Sequence, residues 1–594
     1  MSRLSSDMRD MAKYSAASMG LALITVTVVV FWPCLGNGFT FWDDPGFVTE
    51  NMALRHGGPQ ALAEIFRQTI LGTYVPLATL SHWLEYQLFG LKPLVYHLVN
   101  LLLHAANVIL VFHLGMRLRL PRAAAFWGAL LFGIHPIHVE AVAWVTARKD
   151  VLFTFFYLAS MLAYIRYIDT PRMRHYLLAW ALGLLSILAK PMALSLVLVL
   201  GVLDWYAGRR WSWKLVAEKI PFLVYLVPVA WLTYRLHARI PAGTFSSSLM
   251  TWLWCATFYL KKFVWPSVLL PIYLIPDHFD HIDFDVALGI FIVVGAVLIR
   301  LRRHRLVVFS FLFYFATIFF LLRFDRHRDL QMVADRFMYL PSVGFCWLAG
   351  DGLRRLGALL KRKKVLFQRG GYAIIGIVLL ALGLLSSRQC RLWGDEERMW
   401  RRALVYYPCS ATYHKLGDYF YLRDYYELAL PFYLKAYEAN THNFEVLVNM
   451  AAIYAERFNF KNAMAALNRA IALAPDYAVA YVNRGVLFSK MGQIKTAVDD
   501  LSRAIELDPN NDTAYFNRGM AFMQLGAYAR SEEDLRRVVA INPRDSVAYF
   551  NLGQLHWRAG KTDQARAAFT RALAIEPSFK KAEAYVQRLD EQKR

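Results

Sequence analysis

The sequence predicts an all-α chain in two parts, a membrane domain of many helices followed by a soluble solenoid of helix pairs. Up to about residue 388, apolar runs recur about every 20 to 30 residues. With 57% hydrophobic residues, the 594-residue chain is too apolar for a soluble protein. After residue 388 the sequence is charged and repeats every 34 residues. The net charge of +23 lies mostly in short loops between apolar runs, which favours membrane orientation over nucleic-acid binding as its explanation.

The first part is predicted to cross the membrane about eleven times, because each apolar run approaches the length that a bilayer requires. The predicted spans are 15–34, 94–116, 123–134, 151–168, 176–189, 192–206, 221–236, 285–300, 306–322, 337–353 and 372–387.

Basic residues predict the orientation of these spans. They cluster in alternate loops, such as 117–122, 209–219 and 302–305, and basic loops face the cytoplasm. The N-terminus is therefore predicted inside and the repeats outside. The apolar segment 248–276 is interrupted by Lys261 and Lys262, so we expect it to be interfacial or re-entrant. If it spans instead, the repeats lie on the cytoplasmic side.

The second part shows the tetratricopeptide pattern, with two helices per unit, small residues where the helices meet, and proline ending the second helix. Four clear units occupy 445–580, a degenerate unit occupies 411–444, and a polar capping helix follows. The predicted domains are therefore 1–388 for the membrane part, 389–410 for a connecting segment with the first helix of the array, and 411–594 for the repeats. The positions that show the period are Tyr481, Tyr515 and Tyr549, Gly485, Gly519 and Gly553, and Pro475, Pro509, Pro543 and Pro577.

One polar position recurs on the first helix of successive units. Asn483, Asn517 and Asn551 occupy it, and the resemblance to related arrays implies that an asparagine there can bind the backbone of a peptide. We expect these three residues to contact a protein acceptor. Solvation of the helix surface is the alternative.

The predicted outer face collects the unusual polar sequence. Its loops contain "WDDPGFVTEN", "HPIHVEAVAWVTARKD", "AKP" and "RFDRHRDLQMVADRF". Charged residues next to a bilayer are costly unless they are solvated, paired or used. The last loop carries four arginines on the face that should be poor in them, which indicates a use such as holding an anionic lipid headgroup.

Asp43 and Asp44 form a carboxylate pair in the first outer loop. Such a pair can supply a general base for an acceptor hydroxyl or ligands for a divalent metal. A structural turn or helix cap before Pro45 is the alternative. His135, His138 and Glu140 form an HxxHxE string that suits zinc, but a lone string of this kind is more often a hydrogen-bonded helix start, here after Pro136.

Basic residues of the outer loops can hold a phosphate and offset its growing charge. Lysine snorkelling and pairing of the arginines with nearby aspartates are the structural alternatives. The candidates are Arg148, Lys190, Arg326, Arg328 and Arg336.

Several blocks resemble the transmembrane and tetratricopeptide repeat-containing family, most closely its compact bacterial relatives. These blocks precede the repeats, in the family's order. They are "FTFWDDPGFVTEN", "YVPLATLSHWLEYQLFGLKPLVYHLVNLLLHAAN", "LFGIHPIHVEAVAWVTARKDVL", "LAKPMALSLVLVLGVLDWY" and "VADRFMYLPSVGF".

The resemblance implies the C-type glycosyltransferase fold and a sugar donor linked to polyprenyl phosphate. The family is similar to protein O-mannosyltransferases, whose first outer loop carries an acidic motif. By that analogy Asp43 is the base and Asp44 its partner. His135, His138 and Glu140 then shape the sugar or acceptor site. Related enzymes commonly work without metal, so no cofactor is predicted, and a divalent metal stays as a second option.

The predicted partners are the lipid-linked donor, membrane lipid, and a protein or peptide acceptor bound by the repeats. The predicted reaction is inverting transfer of a hexose to Ser or Thr at the periplasmic face of a bacterial inner membrane, or in the lumen of the endoplasmic reticulum. A non-catalytic repeat scaffold for envelope assembly is one rival. The other is a glycosyltransferase with a glycan or lipid acceptor.

Overall fold

The protein is seen in a computed structural model that describes residues 15–237, 245–274, 281–319 and 333–591. The described residues form helices, turns and one isolated β-bridge, in agreement with the all-α prediction. The chain divides into two compact units, Met1–Tyr407 and Pro408–Arg594.

The first unit holds eighteen α-helices within the described ranges. They are α1 Ala16–Phe31, α2 Met52–Arg55, α3 Gly58–Arg67, α4 Pro76–Phe89, α5 Pro93–Arg117, α6 Arg122–Ile134, α7 Val139–Ala143, α8 Arg148–Asp169, α9 Met173–Ala189, α10 Leu196–Ala207, α11 Trp213–Ala217, α12 Ile220–His237, α13 Phe245–Val264, α14 His281–Arg300, α15 Arg305–Ile318, α16 Ser342–Leu360, α17 Val365–Trp393 and α18 Glu396–Tyr406.

Each of the eleven predicted spans overlaps one of these helices. Within the described ranges, four helical segments are long and apolar enough to cross a membrane. A fifth is added if α6 and the bent stretch after it, at 53°, form one broken span. The number eleven therefore stays a prediction. The four segments are Ala16–Gly36, Pro93–Arg117, Val145–Asp169 and Val365–Trp393.

The ambiguous segment 248–276 is helical in its first half. Helix α13 carries Lys261 and Lys262 in its last turn and ends at Val264, two residues before Pro266. Proline cannot continue a helix without losing a hydrogen bond, which explains the stop.

Glycine allows α6 and α16 to pack at backbone contact. A Cβ added at Gly128 would lie 2.9 Å from the carbonyl oxygen of Cys346. A Cβ at Gly350 would overlap the backbone of α6. Small residues let membrane helices approach this closely. This packing fixes the start of the irregular stretch after α6, which carries several candidate site residues.

The second unit consists of five helix pairs and a final helix, and its pairs follow the predicted 34-residue period. The glycines within its helices face the partner helix; a Cβ at Gly485, for example, would lie 2.8 Å from the Leu501 side chain. The helices are α19 Ser410–Tyr421, α20 Tyr426–Ala439, α21 Phe444–Glu456, α22 Phe460–Leu473, α23 Ala478–Lys490, α24 Ile494–Leu507, α25 Asp512–Gln524, α26 Tyr528–Ile541, α27 Ser546–Arg558, α28 Thr562–Ile575 and α29 Lys580–Glu591.

The turn inside each helix pair has one residue in the left-handed region. In the last three pairs this residue is glycine, at 492, 526 and 560, with φ between 71° and 78°. The first two pairs place Asp424 (φ 60°) and Phe458 (φ 56°) there. A bulky side chain at positive φ is strained, and Phe458 is 80% exposed, so little burial offsets the strain.

We expect Phe458→Gly to stabilise the repeat unit by about 1 kcal/mol, because it removes this strain and loses little buried area. The thermal unfolding midpoint of the full chain, followed by hydrogen exchange in α21 and α22, measures the change. Gly492→Phe at the equivalent turn is the matched control and should destabilise. A lower midpoint for Phe458→Gly would contradict the strain argument.

Candidate active site

Six charged side chains from four loops of the first unit meet at one place. Three are acidic and three are basic, and they influence one another electrostatically. We name this group the charge cluster; its members are Asp43, Glu140, Lys149, Asp150, Lys190 and Arg336.

Each member lies where a helix begins, ends or bends. Asp43 follows α1 and precedes a π-helical turn at Pro45–Thr49. Glu140 lies on α7, and Lys149 lies in the first turn of α8. Lys190 joins α9 to a 3₁₀ turn, and Arg336 lies in another 3₁₀ turn. The cluster therefore draws three residues from the loop 135–150 and one from each of the other three loops that the sequence singled out.

Two ion pairs involve the lysines. The Nζ atom of Lys190 lies 2.5 Å from Oδ1 of Asp150, and both side chains are buried. The Nζ atom of Lys149 lies 4.0 Å from Oδ2 of Asp43, whose side chain is 24% exposed. Burial lowers the pKa of Lys190 to about 8, although the Asp150 carboxylate opposes that shift.

Arg336 forms the third ion pair, with Glu140. Its guanidinium contacts Oε1 of Glu140, and its backbone N–H donates to Oε2 at 2.9 Å. The guanidinium also lies over the rings of Trp144 and Phe337, at 5.2 and 5.0 Å from their centroids. Arg336 thus pairs with a residue distant in sequence. Of the aspartates that the sequence suggested as its partners, Asp335 accepts a hydrogen bond from Tyr273, and Asp325 and Asp329 lie outside the described residues.

Two buried atoms of the cluster have unused hydrogen-bonding capacity. Nε of Arg336 and Oδ2 of Asp150 have no hydrogen-bond partner among the residues that the structure describes. A buried polar atom without a partner costs free energy, and such atoms are common where a ligand or water binds. The cluster can therefore offer both a donor and an acceptor to a ligand.

The adjacent residues Asp43 and Asp44 have different environments. Asp44 is fully buried and accepts from Thr40 through its N–H at 2.8 Å and its hydroxyl at 3.1 Å. Its other oxygen accepts from the N–H of Thr146 at 3.0 Å and from the Thr146 hydroxyl. Burial raises the pKa of Asp44, while these hydrogen bonds lower it in part. Asp44 ties the loop after α1 to the stretch before α8, and Asp43 is the member of the pair that solvent reaches.

The residue before Asp43 is also held in place. The ring of Trp42 stacks on Trp144 at 4.7 Å and 15°, and it meets Trp400 edge-on at 5.3 Å. Such ring pairs contribute about 0.5–1.5 kcal/mol each beyond area burial. Asp43 therefore lies between two anchored neighbours, so its carboxylate has a defined position despite its exposure.

The two candidate histidines are engaged in structural contacts. His135 Nδ1 accepts from the N–H of Ile137 at 3.2 Å, and Nε2 donates to the carbonyl of Phe263 at 3.0 Å. His138 contacts the carbonyl of Phe132 at 2.7 Å and the Ser342 hydroxyl at 2.8 Å. These contacts agree with the hydrogen-bonded helix start that the sequence offered as an alternative.

Among the residues that the structure describes, no group of three or more His, Cys, Asp or Glu side chains lies close enough together to hold a metal ion.

Arg148 lies outside the charge cluster, and its donors are occupied. It pairs with Glu85 at 2.5 Å and donates to the Ser81 hydroxyl, to the carbonyl of Tyr96 at 2.8 Å and to the side chain of Asn100. These contacts join α4, α5 and α8. The other two candidates, Arg326 and Arg328, lie outside the described residues.

Lys149 and Asp150 were not among the site residues predicted from the sequence, although both lie in the "ARKD" string. The sequence did not show that α8 begins at Arg148, and this start determines which way each residue of the string points. Successive residues of a helix point about 100° apart. Arg148 is thereby directed toward α4 and α5, while its two successors face the cluster.

The three candidate asparagines of the repeats lie at equivalent positions. Asn517 and Asn551 each donate to the carbonyl four residues earlier, at Thr513 and Val547, with distances of 2.8 Å. Asn483 is partly buried at the same position of α23. The amide donors are thus partly used within the helix.

The neighbouring arginines have a structural partner. Arg484 forms a bidentate pair with Asp500 at 2.7 and 2.8 Å, and Arg518 repeats this with Asp534. Two other units lack both the arginine and the aspartate. The equivalent positions are Met450 and Ala466 in one unit, and Leu552 and Ala568 in the other. Because the charges are present or absent together, we assign them to helix pairing within a unit.

Both units of the chain are similar in sequence to parts of known proteins. Two family models described as tetratricopeptide repeat match residues 450–516 and 511–577. The fold and these models together define a multi-pass helical membrane protein that carries a tetratricopeptide repeat array. Among solved structures, "Crystal structure of MamA protein" covers 29% of this chain and 94% of its own, at 25% identity and a TM-score of 0.25.

Similar curated proteins are named protein O-mannosyl-transferases, which confirms the resemblance that the sequence blocks predicted. F38B6.6 of Caenorhabditis elegans is 26% identical over 437 residues, which cover 66% of this chain and 58% of the relative. TMTC3 of Homo sapiens is 24% identical over 525 residues, which cover 76% of this chain and 55% of the relative. The chain thus spans about half to three-fifths of the length of these relatives.

Proposed function

We propose that the chain is a membrane glycosyltransferase that moves a sugar from a polyprenyl-phosphate donor to a hydroxyl group, on Ser or Thr of a protein. The observation that carries the proposal is the charge cluster, which combines a solvent-accessible carboxylate with buried cations. The names of the curated relatives support a protein O-mannosyl-transferase-like reaction. The proposed location of the cluster is the extracytoplasmic side of the membrane, in bacteria the periplasmic face.

In the proposed reaction Asp43 acts as general base. The acceptor hydroxyl oxygen attacks the anomeric carbon of the sugar while its proton moves to the Asp43 carboxylate. The bond between the anomeric carbon and the phosphate oxygen breaks, and its electron pair leaves with the phosphate. Attack from the side opposite the phosphate inverts the anomeric configuration. Positioned general bases contribute about 10²–10⁴-fold to rate.

The proposed role of Lys190 and Arg336 is to bind the donor phosphate. Both cations are held by acidic partners, so their positions are fixed before the donor arrives. The unpartnered Nε of Arg336 supplies a directed hydrogen bond. Because these groups are largely removed from water, they stabilise the charge that develops on the leaving oxygen more strongly than exposed groups would.

The other candidate residues receive different proposed roles. His135, His138 and Arg148 maintain the shape of the site through the contacts described above, whereas Glu140 orients Arg336. Asp44 is the structural partner of Asp43. The repeats bind the acceptor or a partner protein, and the side-chain oxygens of Asn483, Asn517 and Asn551 are the proposed contact points.

The pH dependence of donor binding tests the role of Lys190. Because its pKa is about 8, Lys190 is charged at pH 7 and largely neutral at pH 9. We expect KM for the donor to rise about tenfold between these values, as the charged fraction falls to about a tenth. In Lys190→Arg the rise should disappear, because arginine stays protonated throughout this range.

The control for this experiment is Lys261→Arg, a change at an exposed lysine of α13. It should retain the wild-type dependence of KM on pH. A rise in KM that is equal in wild type and Lys190→Arg would remove Lys190 from donor binding.

The proposed function is tested with the purified full chain in lipid nanodiscs. Polyprenyl-phosphate mannose and extracytoplasmic proteins are supplied, and release of polyprenyl phosphate and labelling of protein are measured with and without EDTA. We expect both signals, and we expect nucleotide sugars not to replace the lipid donor. Labelling of glycans or lipids instead of protein would change the acceptor class. Failure with every lipid-linked sugar would favour the scaffold alternative.

A further inference from the structure

Helix α18 packs into the first unit, although the sequence suggested that it begins the array. It spans 11 residues, about 16 Å along its axis. Its residues Met399, Trp400 and Ala403 are buried. The preceding helix α17 continues to Trp393, past the predicted end of the membrane part at 388.

The beginning of α18 contacts the loop that carries Asp43. A side-chain oxygen of Glu396 accepts from the backbone N–H of Phe41 at 3.1 Å. One turn later, the buried ring of Trp400 meets the edge of Trp42. These two contacts fix the two residues that immediately precede Asp43.

The end of α18 leads to the other side of the charge cluster. The ring of Tyr407, directly after the helix, lies 6.0 Å from that of Tyr273. The hydroxyl of Tyr273 donates to Oδ1 of Asp335 at 2.8 Å, and Asp335 is the residue before Arg336. Helix α18 thus contacts the segment that precedes Asp43 at one end. At its other end it reaches the segment of Arg336 through Tyr273.

We propose that α18 is a brace that sets the position of Asp43 relative to Arg336, with Trp400, Glu396 and Tyr407 as positioning residues. This inference rests on the proposed function for its catalytic consequence, but the brace itself is a structural statement. The contacts are made to backbone and to rings beside the reacting groups, so α18 acts through the loops and touches no substrate.

The contacts of the first outer loop explain why α18 affects the position of Asp43. On its far side, Asp44 is held by four hydrogen bonds to Thr40 and Thr146. On its near side, the stacking of Trp42 on Trp144 is supplemented by the contacts with α18. Without the contacts of α18, Phe41 loses a backbone hydrogen bond and Trp42 loses its ring contact with Trp400, while Asp44 keeps its hydrogen bonds. Asp43 then becomes mobile although the unit stays folded.

The test is amide hydrogen exchange of the full chain in nanodiscs, with overlapping peptides across residues 39–50. The amide of Phe41 is itself the donor to Glu396, so Glu396→Ala should accelerate its exchange about tenfold, the effect of losing one hydrogen bond. Trp400→Ala should accelerate exchange at Trp42 and Asp43 as well, and Trp400→Phe should restore most of the protection. Val405→Ala, at a 78% exposed position of the same helix, is the matched control and should change nothing.

The kinetic constants of sugar transfer provide a second test of the brace. In Trp400→Ala we expect kcat to fall about 10–100-fold with KM for the donor nearly unchanged, because the base is misplaced and the cations are not. Trp400→Phe should recover kcat. Unchanged hydrogen exchange at residues 41–43 in both Glu396→Ala and Trp400→Ala would overturn the brace, whatever the transfer activity of the variants. If Trp400→Ala does not fold, the exchange measured in Glu396→Ala decides between the two outcomes. An inactive wild type with altered exchange in the variants would overturn the proposed function and leave the brace standing.

Discussion

Replacing Asp43 with Asn is expected to lower the rate of sugar transfer by about 10²–10⁴-fold, the usual contribution of a general base. Asparagine keeps the size of the side chain and cannot accept the proton of the acceptor hydroxyl. Since Asp43 is partly exposed and its fold-stabilising neighbours are Trp42 and Asp44, the variant should fold like the wild type. The measurement is kcat for release of polyprenyl phosphate, with the thermal midpoint as a check on folding.

The matched control is Glu50→Gln, which neutralises an exposed carboxylate in the same loop. It should retain the wild-type rate. Equal rates for Asp43→Asn and wild type would show that the base lies elsewhere, and equal losses in both variants would indicate a general effect of charge rather than a specific proton acceptor.

Arg148→Met is expected to produce the largest loss of stability, about 3–5 kcal/mol, because it leaves a buried carboxylate without its cation. Burial by itself would raise the pKa of Glu85, but the Arg148 guanidinium and the His82 hydrogen bond hold that pKa below its usual value. In wild type, Glu85 therefore stabilises the fold above its ordinary pKa and less so in acid. Without Arg148 its pKa should rise instead, and the charged form should destabilise the fold.

Two measurements check this account of Arg148. The difference in thermal midpoint between wild type and Arg148→Met should shrink as the pH is lowered from 7 to 5, since Glu85 then becomes neutral. The double variant Arg148→Met with Glu85→Leu should recover much of the loss, as apolar replacement of a buried pair often does. Arg172→Met, at an exposed arginine, is the control. A double variant as unstable as the single one would contradict the pairing.

Local patterns in the sequence were sufficient to predict the helices and the repeats. Apolar runs and the 34-residue period are properties of neighbouring residues, so the predicted spans and units overlap real helices. The number of spans stays a prediction, because several apolar helices are shorter than a bilayer requires.

The candidate site depends on long-range contacts, and there the sequence was less informative. The residue types of the "DD" and "ARKD" strings do not by themselves show which residue faces the cluster. Asp43 was chosen from the first string by family resemblance, and Arg148 was the only candidate chosen from the second. Which residue faces the cluster depends on Thr146, about a hundred residues after Asp44, and on the point at which α8 begins. Likewise, α18 is polar and periodic like the array, and only its packing against Trp42 reveals that it belongs to the first unit.

The central claim is that the charge cluster binds the phosphate of a lipid-linked sugar. The most direct measurement is a structure, by electron cryo-microscopy, of the full chain in nanodiscs with polyprenyl phosphate bound. The account predicts phosphate oxygens within about 4 Å of Nζ of Lys190 and of the Arg336 guanidinium, the range of an ion pair. A phosphate bound elsewhere, with the three ion pairs of the cluster unchanged, would contradict it.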